Sequence, residues 1–129
     1  MAKISIQQKP TFDVDVEIPR IGDKPVKVKF SFAYLDRDQL AEFLDGGIQH
    51  GKEVRELIEK ECTVRDLSTK TEDLQVAQLK QIVRGWGFDE ELNDDNIRAL
   101  VRSYAAVPDA VLAAYQAAYN RAREGNLQA

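Results

Sequence analysis

The chain has 129 residues, 43% of them hydrophobic and 31% charged, and carries a formal net charge of -4. That length can bury a real core, roughly two thirds of the surface that the unfolded chain would expose, and the acidic balance argues against a nucleic-acid surface. No apolar run approaches the roughly 20 residues of a membrane helix, and Met1–Ser5 is not followed by a secretory apolar stretch. One cysteine, Cys62, excludes an internal disulfide and suits a reducing cytoplasm. We expect one α+β domain over 1–129, with a β-hairpin at 12–32 packed on about five helices at 36–124.

Residues 12–18 alternate strictly, Phe12, Val14, Val16 and Ile18 against Asp13, Asp15 and Glu17. Residues 26–32 repeat the alternation with Val26, Val28, Phe30 and Phe32 against Lys27, Lys29 and Ser31. Period-two patterning gives two strands, each with one buried and one wet face. Pro19 to Pro25, with Gly22-Asp23 inside, supplies the turn. Pairing Ile18 with Val26 sets Val16 on Val28, Phe12 on Phe32, Glu17 on Lys27 and Asp15 on Lys29, so apolar and charge patterns select one register together. The three carboxylates of Asp13, Asp15 and Glu17 are better read as cross-strand ion-pair partners than as metal ligands. A lone hairpin is marginal in water, so its apolar face needs a helical layer, while its outer edges could take a strand from another copy or a partner.

Asp36 and Gln39 form a capping box for a first helix, which Gly46-Gly47 is expected to end. A second helix is expected from about Lys52 to Cys62, burying Val54, Leu57, Ile58 and Cys62. Thr69 or Thr71 would cap a third, with Val76, Leu79, Ile82 and Val83 inside and Gly85 ending it. Residues 63–69 have no clear assignment. Asn93 caps a fourth helix, Asp94 to about Ala105, burying Ile97, Leu100, Val101 and Tyr104. Pro108 suits the first position of a fifth, running to about Arg123 and stopped by Gly125. Gly85, Trp86 and Phe88 read as a structural anchor, the packed hinge between two helices.

Catalytic chemistry finds little to work with. His50 is the only histidine, and Cys62 fits an apolar stripe better than a nucleophile's setting. Asp89-Glu90-Glu91 and Asn93-Asp94-Asp95 lack the glycine and ligand spacing of a calcium loop. Arg84, Arg98, Arg102, Arg121 and Arg123 lack the aromatic interleaving of a nucleic-acid surface. No cofactor or metal site is expected. The last helix is apolar over most of its circumference: Val111, Leu112, Tyr115, Ala118, Tyr119 and Ala122 form a stripe, widened by Ala110, Ala113, Ala114 and Ala117. Such a helix is either buried on several sides or shared with a partner. Core packing and a protein-binding role for Val111, Leu112, Tyr115, Tyr119 and Ala122 both stay open.

The order Ile82-Val83-Arg84-Gly85-Trp86, a short acidic segment, a capped helix from Asn93, a Pro108-started helix with Ala114-Tyr115, and Gly125-Asn126 resembles the tail assembly chaperones of long-tailed bacteriophages. The resemblance covers about residues 75–126; where related sequences carry a Phe-Ser-x-Glu-type cap, this chain has Leu92-Asn93-Asp94-Asp95-Asn96. It implies a non-enzymatic protein of the host bacterial cytoplasm. Its partners would be the tape-measure protein and tail-tube subunits, with self-association into a homo-oligomer, and it would be absent from the finished virion. The competing expectation is a structural tail or connector subunit retained in the particle.

Overall fold

A computed structural model describes residues 4–123, with side chains described as far as residue 121. The elements run β1 (Thr11–Arg20), β2 (Asp23–Ala33), α1 (Arg37–Glu59), α2 (Val64–Ile82), β3 (Val83–Trp86), α3 (Asp94–Ser103) and α4 (Ala106–Arg123). The three strands form one antiparallel sheet in the order β1-β2-β3. The hairpin register is the expected one, with Ile18 on Val26, Val16 on Val28, Phe12 on Phe32, Glu17 on Lys27 and Asp15 on Lys29. A bulge after Ile18 brings Arg20 opposite Asp23, and Gly22 takes the positive φ of +71° that the tight turn demands. Lys29 and Asp13 come within 3.7 Å on the wet face.

The apolar face of the sheet is covered by helices. Val16, Ile18, Val28, Phe30 and Phe32 are buried there with Leu79, Ile82, Val83, Ile97, Val101, Val107, Val111 and Tyr115. The rings form a continuous cluster: Phe30 lies 5.5 Å from Phe32, and Phe32 meets Tyr115 edge-on at 5.1 Å. α4 packs across β1, while α2 packs against α1 and α3. Arg98 of α3 bonds to Glu72 and Asp73 of α2, and Arg102 reaches Glu72 at 3.2 Å, which pins the two helices. Glu72 first, then Asp73, holds the Arg98 guanidinium more firmly protonated than usual.

Among the described residues the helical count is four, and expected boundaries move. The Asp36–Gln39 capping box starts α1, but the helix runs unbroken through Gly46 and Gly47 for 23 residues. Mid-helix glycine costs about 1 kcal/mol against alanine, yet it ends a helix only when it adopts the left-handed cap. Phe43 is buried on one side of the glycines, and Val54 and Leu57 are half-buried on the other. The left-handed position falls instead at Glu61, with φ +58°, just past the Lys60 cap. Cys62 follows the helix, half-buried, and Ile58 is exposed. α2 begins at a second capping box, Thr63 with Asp66, so residues 64–69 are helical and neither Thr69 nor Thr71 is the cap.

Gly85 does not end that helix. α2 stops at Ile82, and Val83–Trp86 forms the third strand, with Phe30 paired to Trp86 and Ser31 to Gly85. Four residues are too few for alternation to announce a strand. Asn93 caps α3 as expected, through its side chain and the Asn96 amide at 2.8 Å. Tyr104, expected inside, is exposed because α3 ends at Ser103. Pro108 is the third residue of α4, still within the turn whose amides need no helical acceptor. Gly125 lies outside the described residues.

Candidate protein-contact surface

The α4 stripe is turned inward. Val111, Tyr115 and Tyr119 are buried, and Leu112 is half-buried against the same core. The side chain of Ala122 lies outside the described residues. Two phenols carry the tie to the sheet: the Tyr115 hydroxyl donates to the Ala33 carbonyl at 3.0 Å, and that of Tyr119 to the Leu35 carbonyl at 2.6 Å. These bonds satisfy buried polar atoms that would otherwise cost about 1–3 kcal/mol each. Burial, with Tyr119 alongside, pushes the Tyr115 phenol well above the ordinary tyrosine range. What α4 leaves outward is mostly alanine and amide: Ala113, Gln116, Ala117 and Asn120.

Gly85, Trp86 and Phe88 stand at the short sheet edge. A Cβ at Gly85 would meet that of Ser31 at 3.5 Å, ordinary contact. Trp86 packs edge-on against Phe88 at 5.1 Å and Phe30 at 6.5 Å, and its indole N–H donates to the Glu90 carbonyl at 2.8 Å. The half-buried indole thus folds the 87–90 segment back beside the strand that it leaves. Gly87 runs close to β2, where a Cβ would stand 3.4 Å from the Lys29 backbone nitrogen and oxygen.

Because β3 pairs only with Phe30 to Phe32, β2 from Val26 to Lys29 has no strand on that side among the described residues. A cleft of about 700 Å³ opens there. One wall is the hairpin end, Ile18 to Ile21 and Val26 to Val28; the other is Gly87 to Glu90 with Leu100, Tyr104 and Val107. Ile21, Val26 and Tyr104 are exposed within it, and Phe88 and Leu100 are half-exposed. The lining mixes apolar bodies with Arg20 and Lys27 on one rim and Asp89 and Glu90 on the other. Sequence reading found the strand edge but missed the cleft, since its walls meet only after α3 closes over the sheet. The one available signal was Tyr104, an aromatic residue at a helix end.

Among the described residues no cluster of three His, Cys, Asp or Glu side chains could hold a metal. His50 lies within α1, its Nε2 3.5 Å from the Thr71 hydroxyl.

A family model described as phage tail assembly chaperone matches residues 1–126. The chain belongs to that family. No curated protein and no solved structure matches it significantly. The match reaches well beyond residues 75–126, which carry the sequence resemblance, and takes in the hairpin and α1 of this chaperone. Among the described residues of this chaperone no helix is long and apolar enough to cross a membrane.

Proposed function

We propose that this chaperone binds the tape-measure protein of its phage in the host cytoplasm, keeps it soluble, and yields it to tail-tube subunits, so that it is absent from the mature virion. The exposed apolar cleft between β2 and the α3 end, on a member of a tail assembly chaperone family, is the observation that carries this reading. An amphipathic helix in an apolar groove is held by a few side-chain anchors spaced along one face. Ile21, Val26, Phe88, Leu100 and Tyr104 offer matching contact area, and the Lys27 and Glu90 rims can set its direction. The contact is small and open, as a reversible grip should be. The role is non-enzymatic. Contact through Val111, Leu112, Tyr115, Tyr119 and Ala122 would require α4 to lift from the sheet; the cleft needs no such opening, so we assign the first contact to the cleft.

Co-expression with the tape-measure frame encoded beside this gene tests the reading. The full chain should copurify with that protein and hold it in the soluble fraction, and Tyr104→Asp should stay folded and lose both effects. Folded wild-type chain that neither binds nor solubilises its cognate partner would overturn the proposal. Mass spectrometry of purified virions should find no copy; a stoichiometric signal would instead favour a retained tail or connector subunit.

A further inference from the structure

α1 carries apolar surface that the other described residues do not cover. Leu44, Ile48 and Ile58 are 51%, 61% and 59% exposed, although Phe43 on the same helix is buried. They do not scatter. Arg37, Ala41, Leu44, Ile48, Gly51, Arg55 and Ile58 follow one another at alternating spacings of four and three, the seam of a helix that pairs with another helix. Gly51 points the same way. A Cβ there would meet nothing within 4 Å, so packing among the described residues does not require this glycine. It still weakens the helix by about 1 kcal/mol relative to alanine.

We propose that two copies of the chain pair through this seam, α1 against α1, antiparallel about a twofold axis at Ile48. The seam is complementary to itself in only one direction. Reversed about Ile48, it sets Ile48 on Ile48, each Leu44 on the partner's Gly51, and Arg37 near the partner's Ile58. A large residue then enters the space that a glycine leaves, as close helix packing needs. Charge selects the same arrangement. Asp45 and Lys52 border one side of the seam, and in an antiparallel pair that side meets its own copy, bringing Asp45 to Lys52 at both ends. Among the described residues neither has an ion-pair partner within the chain. Arg55 faces the acid-rich first half of the other helix, where Asp38 and Glu42 stand. A parallel pair would instead turn the Asp45 side toward the flank that packs on α2. At 23 residues, about 35 Å, the helix is long enough for several such layers.

The dimer needs no phage partner, so its failure would leave the tape-measure reading untouched. The test is the mass of the full chain by sedimentation equilibrium at about 100 μM, where a dimer of micromolar affinity is essentially complete. Wild type should be dimeric. Ile48→Asp should be monomeric with an unchanged far-ultraviolet spectrum, since the side chain is exposed in the single chain. Asp45→Lys and Lys52→Asp should each weaken the dimer at least about tenfold, and the two together should restore it. Three results would overturn the proposal: monomeric wild type, a dimer that survives Ile48→Asp, or a double swap that fails to recover what the single changes lose. Monomeric wild type whose tape-measure binding disappears in Ile48→Asp would give the seam to a partner helix instead.

Discussion

The sheet with α4 and the outer face of α1 are built on opposite plans. Under α4 the inner face of the sheet is closed: Val16, Phe30 and Phe32 are buried, the phenols of Tyr115 and Tyr119 end on backbone carbonyls, and four aromatic rings surround Tyr115 within about 6 Å. On α1 only Phe43 is buried, and leucine and isoleucine share an exposed seam with glycine. The difference shows where each region finds its stabilisation. The sheet under α4 is closed by its own neighbours, whereas α1 and the β2 cleft leave apolar side chains exposed, the surface that the two proposals assign to other polypeptides.

The sharpest way to break that contrast is to put one charge in each place. Tyr115→Asp should destabilise the fold by roughly 3–5 kcal/mol, the range for losing a core aromatic, with a stranded carboxylate added. Chemical denaturation should find it largely unfolded. Ile48→Asp should leave the unfolding free energy of the monomer within about 0.5 kcal/mol of wild type. Equal losses at the two sites would erase the distinction.

How far the sequence announces each region follows the same divide. Strict alternation and opposite charge made the hairpin register readable residue by residue, and side-chain caps marked Asp36 and Asn93. Val83–Trp86 was hidden because a four-residue strand is defined by its neighbour, and its partners Ser31 and Phe30 lie 54 and 56 positions from Gly85 and Trp86. Gly46-Gly47 misled because glycine signals both a helix stop and a close approach, and only the backbone conformation distinguishes them. The α4 stripe was legible as apolar surface, but which surface covers it depends on how β1 and α1 close around Tyr115. The cleft was illegible, being the space left between elements far apart in sequence.

Smaller changes sharpen the comparison. Tyr115→Phe keeps the ring and removes only the bond to Ala33, leaving a buried carbonyl without its donor, so equilibrium unfolding should show a loss of about 1–2 kcal/mol. The same hydroxyl sets a pH limit. Its phenol holds its proton more tightly folded than unfolded, so stability is fully present below the ordinary tyrosine value of about 10 and declines as pH rises beyond it. Melting curves taken through that range should fall for wild type and fall less steeply for Tyr115→Phe. On α1 the sign reverses: Gly46→Ala, off the seam and with open space around its Cβ, should raise stability by about 0.5–1 kcal/mol. Glu61→Gly, relieving the positive φ, should add a similar increment. The smallest effect belongs to the exposed Arg98 clamp, where Arg98→Ala should lower the melting point slightly and less so as salt is raised.

Hydrogen–deuterium exchange of the folded chain, with and without its tape-measure protein, tests most directly whether the reserved surface makes the contact. Binding should slow exchange at 26–29, 87–90 and 100–107 around the cleft and leave the Tyr115 turn of α4, already protected, unchanged. Slowing confined to α4, with the cleft unaffected, would contradict the assignment.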